Sequence, residues 1–441
     1  MAEKRRPAED LLSDSRSKSP EELLRERKDR LEKVYMNKKP DRVPFAIMTD
    51  AVLTANYAGF TVAEATSNYD AMLKIAIKWY DDFNVDGVDV PPGGLIQLTL
   101  GCGVLPFVVM DYLKEPLAIT LTNNAHRILR DKFTKWPGVE LPPDAHPQYI
   151  GGKFMEVEEY RKLAEDPITF MSEVVIPRSF EALSKPGSAE AYTALSKLGQ
   201  DMYRYNVIMM MIGIEAVKRG WPSFPGGVAL APLDFIADFL RHVTYTMIDL
   251  RRHPEEVRLA LEAVTKLMVK LLKFSTPRPE ETEKLFGSKI VTVFMPLHLG
   301  DMLPPKLFEE FYWPGLKKLF LEAYSMGVIP SPVFDGDWTH HLHYLLELPK
   351  GSIFATFEKV DPRTVRRILG DHIPFSAGFS PSLYIYASKE KVFEEVCKLL
   401  NNVKEPGGYM FTPAGLPLPP SIKIENIWAA VEAVKKCGRY D

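Results

Sequence analysis

The sequence predicts an α/β chain folded as a (βα)8 TIM barrel, with an N-terminal helical extension and an insertion after the second strand. Three observations carry this. Apolar runs of strand length recur near residues 43, 86, 228, 290, 328, 353, 373 and 409, each followed by a stretch with helical spacing. Residues 290–339 read as a complete strand–helix–strand crossover, and only parallel neighbours need so long a connection. Finally, 441 residues at 46% hydrophobic content can bury a core of that size.

The elements follow in order. Residues 1–18 are polar and read as a disordered tail, since they offer little to bury. Ser19, Pro20 and Glu22 then supply an N-cap, a first-turn proline and a capping box for a charged, solvated helix reaching about Asn37. The expected division is therefore 1–38 for tail and flanking helix and 39–441 for the barrel. Val43–Met48 is the first strand. Met72, Ile75, Ala76, Trp79 and Phe83 define the apolar face of a helix over Tyr69–Phe83, and Asp86–Val90 is the second strand. The glycine- and proline-rich stretch Pro91–Pro106 reads as a long loop covering a substrate.

Within the insertion, Phe107–Met110 and Leu117–Leu121 pair as a hairpin, Tyr149–Met155 is a strand, and Val157–Ala164 and Ile168–Leu183 are helical. A long helix over Glu190–Lys218 carries Met202, Met209, Met210 and Met211, which read as core packing. From Val228 the rhythm returns. Ala231 to Asp234 opens a helix ending near Arg252, and Pro254 opens another to Phe274. The strand Ile290–Met295 leads to a helix that Pro304 and Pro305 open and Gly327 closes, and then to the strand Val328–Phe334. Strands Ile353–Phe357, Ile373–Ala377 and Tyr409–Thr412 alternate with helices Asp337–Leu348, Asp361–Leu369 and Ser388–Asn401, and a last helix runs from Ile424 to about Lys436.

Composition narrows the function. With 55 basic against 58 acidic residues the net charge is −3, which gives no basic stripe for nucleic acid or a membrane surface. Cys102, Cys397 and Cys437 are too few and scattered for a disulfide framework or closed zinc site, and read as reduced thiols. MAEKRRPAED has no apolar signal region and no run is long enough to span a bilayer, so a cytoplasmic protein is expected.

Chemistry belongs at the carboxyl ends of the strands in such a fold. His298 and Asp301 follow one strand and Asp335, Asp337 and His340 follow its neighbour, so the five are expected to converge as catalytic residues. Close carboxylates raise one another's pKa and a histidine counters that, which suits proton transfer. Asp337 equally fits the N-cap of the helix starting at Trp338. His340 and His343 share a helix face, but His-x-x-His alone gives a surface role rather than ligation. His298, Asp301 and Asp335 would make an N/O ligand set if a metal did bind, yet none is expected. Phe334, Trp338, Phe379 and Tyr384 are candidates for an apolar substrate pocket, or for packing of the loop layer. The chain has no dinucleotide fingerprint, P-loop or nucleophile elbow, and no Asp-x-His-x-x-Gly corrinoid-ligand motif.

The stretches KKPDRVPF, APLDFIADFLRHV followed by RRHPEEVRLALEAVTKLM, and EPGGYMFTP with IENIWAAVEAVKK resemble the uroporphyrinogen decarboxylase superfamily over roughly residues 28–437. That resemblance implies a (βα)8 barrel with its site at the carboxyl-terminal mouth. The superfamily includes decarboxylases and corrinoid-dependent methyltransferases of the methylcobalamin:coenzyme M and O-demethylase types. The decarboxylases' arginine-rich segment falls at Thr49–Phe60, which has no arginine; their pyrrole-binding aspartate falls near Asp89, out of register, and their late histidine at Gly415. A substrate with eight carboxylates needs cations that this mouth lacks. The methyltransferases' zinc ligands fall at Val333, Asp335 and Gly415, so zinc is not expected. The resemblance thus implies a methyltransferase component of a corrinoid-dependent methyl-transfer or O-demethylation system. Cobalamin would arrive on a separate corrinoid protein, and the small-molecule partner would be a methyl donor or acceptor. A uroporphyrinogen-type decarboxylase and a non-catalytic binding barrel are the alternatives.

Overall fold

Six short strands form one parallel sheet whose spatial order follows the chain: β1 (Gly226–Val228), β2 (Thr292–Leu297), β3 (Ile329–Phe334), β4 (Ala355–Phe357), β5 (Phe375–Ala377) and β6 (Tyr409–Phe411). The structure is a computed structural model describing residues 18–92, 106–110, 116–120, 122–414 and 418–440. Most of the expected tail 1–18 and covering loop 91–106, with Cys102, Leu121 and Gly415, lies outside the described residues.

Two extended segments complete the barrel. Phe45 pairs in parallel with Phe411 of β6, and the amide of Asp89 donates to the carbonyl of Phe45 at 2.9 Å. Six of the eight expected strands form; Val43–Met48 is reduced to the bridge at Phe45, and Asp86–Val90 to a short stretch after a turn at Asp86 and Gly87. The interior is apolar on alternate residues: Val293, Met295 and Leu297 of β2 are fully buried, and Phe334 stacks on Phe357 at 4.8 Å. Leu297 pairs with Phe334, so His298 and Asp335 leave the sheet at the same level.

The N-terminal helix α1 (Pro20–Tyr35) begins as expected, with Ser19 and Glu22 forming a capping box. It is not merely solvated, because it buries Leu23, Arg27, Arg30, Leu31 and Val34. Arg27 ties the residue preceding the second extended segment to Gly220, donating to the carbonyls of Val85 and Gly220 at 3.3 and 3.0 Å. Arg30 and Arg42 meet the buried carboxylate of Asp89 at 2.5 and 2.6 Å, and the Phe45 amide adds a bond of 2.9 Å. Burial opposes ionisation of Asp89, but the two guanidiniums hold its pKa well below the usual carboxylate range. Asp89 is a structural lock, engaged from two sides, and is not a ligand for substrate.

Several expectations are corrected. The helix expected from Ala231 to Arg252 is interrupted: Pro232–Phe235 passes into a π-helical turn, Ile236–Arg241, and His242 at φ +68° ends it before Val243–Arg252. Of Tyr149–Met155 only Tyr149 is in a strand, paired with Thr134. Asp337–Leu348 is a 3₁₀ helix over Thr339–Glu347. The long helix α2 (Ala189–Lys218) matches its expected span, but Met210 and Met211 are exposed, because only one face of this helix packs on the barrel. Cys397 and Cys437 form a disulfide with a Cα separation of 5.3 Å, rather than free thiols. Helices α3 (Lys389–Val403) and α4 (Ile424–Cys437) pack side by side and bring together cysteines 40 residues apart. The hairpin over Pro106–Met110 and Pro116–Thr120 is antiparallel as expected. Among the described residues no helix is long and apolar enough to cross a membrane.

Candidate functional site

The helical turn after β1 sets the site. Pro232 starts it without needing an N–H, and the apolar residues around it bury Asp234 and Asp238, which lie four apart along the same turn. Asp234 is met by three donors. The backbone amides of His298 and Leu299 donate to its two oxygens at 3.1 and 3.0 Å, and the Tyr312 hydroxyl donates at 2.7 Å. This carboxylate therefore fixes the loop leaving β2. Burial first, and then repulsion from Asp238, raise its pKa to about 7.

His298 is suspended between two carboxylates. Its Nδ1 lies 2.8 Å from Asp238 Oδ2, and its Nε2 lies 3.3 Å from Asp335 Oδ2. The side chains of His298 and Asp335 are 31% and 32% exposed, whereas Asp238 is 4% exposed, so the pair opens to solvent while its anchor does not. Burial disfavours the imidazolium, but Asp238, Asp234 and Asp335 outweigh it and raise the His298 pKa to about 10. Asp335 is raised to about 6, by burial and by Glu358, against the lowering pull of His298. The site thus holds a proton on His298 at neutral pH beside an acceptor able to take or return it.

Hydrogen bonds hold both partners. The Tyr149 hydroxyl donates to the backbone carbonyl of Asp238. Asp335 extends the ladder by donating its amide to Leu297, and its own carbonyl accepts from the Trp338 indole at 2.9 Å. Gly336, at φ +82°, donates to Glu358 at 2.6 Å and lies under Asp301, whose carboxylate would sit 2.1 Å from any added Cβ.

Of the five expected acid–base residues, His298 and Asp335 meet and Asp301 lies over the residue next to Asp335. Asp337 and His340 do not join them. Asp337 is exposed and accepts from the amide and hydroxyl of Thr339, but Trp338 occupies the N-cap position of the 3₁₀ helix, so Asp337 is not its N-cap; His340 is exposed on that helix. His343 sits on the same turn, while His341 is buried against Phe308 at 3.9 Å. Of the pocket candidates, Phe334 and Trp338 are buried against each other at 4.7 Å, and Tyr384 is buried under α4, where Asn426 donates to its carbonyl. Those three are packing residues. Phe379 stays partly exposed.

Sequence reasoning missed Asp234, Asp238, Tyr312 and Tyr149. Two carboxylates four apart in the apolar run APLDFIADFL were the available signal, because buried carboxylates need partners. Tyr312 and Tyr149 gave none.

No group of three or more His, Cys, Asp or Glu side chains among the described residues is arranged to hold a metal ion. Val333, at one position the resemblance assigns to a zinc ligand, has no donor atom, so those residues do not fit zinc. Both ring nitrogens of His298 face carboxylates, so that histidine does not suit cobalt either.

Residues 214–437 match the family described as uroporphyrinogen decarboxylase (URO-D). Among solved structures, a methyltransferase from Methanosarcina mazei is similar over 92% of this chain and 97% of its own, with a TM-score of 0.54 and 14% sequence identity. At that identity the likeness speaks for the fold. No curated protein matches the chain.

Proposed function

The chain belongs to the uroporphyrinogen decarboxylase family, and on that premise we propose that it is the methyltransferase component of a corrinoid-dependent methyl-transfer or O-demethylation system. The observation that carries this reading is His298, held protonated between Asp238 and Asp335 at the barrel mouth. Removing a methyl group from a heteroatom leaves an electron pair that needs a proton, and loading an acceptor releases one. His298 Nε2 is the donor in the first direction and Asp335 the acceptor in the second. Asp238 keeps the ring oriented, and Asp234 holds the loop through two amides.

The methyl-carrying corrinoid would come on a partner protein, since the sequence has no Asp-x-His-x-x-Gly motif and both ring nitrogens of His298 face carboxylates. A neutral or aromatic donor, or a pterin acceptor, suits a mouth whose first loop is arginine-free. Thr49–Phe60 folds instead into the helix Ala51–Ala58, capped by Asp50.

The reading is tested by His298→Ala and Asp335→Asn in an anaerobic assay following the absorbance of methylcobalamin. Each is expected to lose roughly 10²- to 10⁴-fold in rate; Asp335→Asn should melt close to the parent, whereas His298→Ala also gives up the ion pair with Asp238 and is assayed at a temperature where circular dichroism shows it folded. Variants that retain full rate would remove the pair from the chemistry.

A further inference from the structure

Two π-helical turns are linked through Asp234. One, Ile236–Arg241, follows it directly; the other, Phe308–Tyr312, lies in the helix after β2 and continues into Trp313–Ser325. The second has a local cause, since Pro314, just past it, has no amide to donate back into the preceding turn. Gly315 lets this helix come close, because a Cβ there would lie 3.0 Å from Pro232 Cγ and 3.2 Å from Thr265 Oγ1. Tyr312, buried and stacked on Phe308 at 5.4 Å, thereby brings its hydroxyl to 2.7 Å from Asp234 Oδ2.

We propose that Tyr312 is a positioning residue for the reaction: its hydroxyl pins the Asp234 carboxylate, and through that carboxylate the backbone of His298 and Leu299, so that the imidazole stays between Asp238 and Asp335. This deepens the methyl-transfer reading and rests on it for the kinetic consequence alone. Packing does not require the hydroxyl, because a phenylalanine would keep the stack on Phe308 and the contact with Trp338 at 5.8 Å. What the hydroxyl adds is a third donor to a buried carboxylate. Asp89 is met by two guanidiniums, whereas Asp234 is met by two amides and this hydroxyl. Burial and Asp238 push the Asp234 pKa up to about 7, and His298, the Tyr312 hydroxyl and the Leu299 amide pull against them. Burial and Asp234 hold the Tyr312 pKa well above 10, so its hydroxyl remains a donor. The charged groups facing this point are Asp238 on the same turn, His298 after β2 and Asp335 after β3. A protonated Asp234 is a weaker acceptor for the two amides, so the loop carrying His298 loosens as pH falls.

Amide NMR on the full chain tests this without turnover. In the parent, the cross-peaks of His298 and Leu299 should titrate with a midpoint near 7, and that component should vanish in Asp234→Asn, which separates it from the titration of Asp335. Tyr312→Phe should raise the midpoint by about half to one pH unit, the worth of one hydrogen bond. In the Asp234→Asn background the same change should do nothing further. In the anaerobic methylcobalamin assay, Tyr312→Phe should lower kcat by up to about tenfold below about pH 7 with KM little changed, and converge on the parent above about pH 9, where Asp234 is ionised in both. Parent cross-peaks that do not move near pH 7, an unchanged midpoint in Tyr312→Phe, or a rate loss of equal size at every pH would each overturn the proposal. An inactive parent that shows the amide titration and its Tyr312→Phe shift would remove the methyl-transfer reading and uphold the pinned loop.

Discussion

At the residue scale the account rests on one imidazole and the carboxylates around it. Asp238 contributes more than Asp335 to raising the His298 pKa, through both a hydrogen bond and its charge. Asp238→Asn should therefore lower that pKa further than Asp335→Asn does, as followed by the ring-proton NMR shifts of His298. Equal effects would mean that the ring is not anchored as described. The sign of the pH dependence follows. A histidine whose folded pKa is raised gives stability that is complete below its unfolded value near 6.5 and is lost as pH rises through about 10. On the proposed roles, demethylation needs His298 protonated and should slow as pH rises toward about 10, whereas loading an acceptor needs Asp335 ionised and should quicken as pH rises through about 6, with both limits belonging to the coupled pair. A rate independent of pH across that span would contradict this assignment.

At the scale of elements, punctuation in the sequence was a good guide and tertiary partnership was not. Ser19 with Glu22, Pro254 and Asp361 with Pro362 mark helix starts through local chemistry, and each stands where its residues indicate. The π-helical turn at Ile236–Arg241 was illegible, since nothing local in its residues distinguishes it from an α-helix that packs differently. The charged pattern of α1 likewise suggested a solvated face. Arg27 and Arg30 are instead buried, and Asp89, 59 residues after Arg30, supplies the counter-charge to Arg30. Breaking such a pair leaves a charge buried without its partner, so Arg30→Ala should cost roughly 3–5 kcal/mol in urea denaturation. A loss under ~1 kcal/mol would show that Arg42 alone satisfies Asp89.

At the scale of the whole molecule, the alternation from β1 onward was readable because each strand is short and followed by a helix. The site was half readable. Strand ends announced His298 and Asp335, but Asp238 reaches them from the turn after another strand, a proximity that only the closed barrel creates. Closure has a second consequence at the carboxyl end, where the 397–437 disulfide joins the last two long helices. Cross-linking residues 40 apart restricts the unfolded chain, so Cys437→Ser should lower stability by up to about 4 kcal/mol. Calorimetry showing no change would mean that the packing of α3 on α4 suffices.

The central claim, methyl transfer at a mouth whose first loop, Thr49–Phe60, carries no arginine to pair a polycarboxylate, has one direct measurement. The protein is supplied anaerobically, in parallel, with uroporphyrinogen and with methylcobalamin or cob(I)alamin plus candidate donors and acceptors. Several carboxylates held there unpaired would each cost several kcal/mol. The account predicts no coproporphyrinogen and a change in cobalamin absorbance that His298→Ala abolishes. Turnover of uroporphyrinogen on the order of 1 per second or faster, with cobalamin untouched, would contradict it.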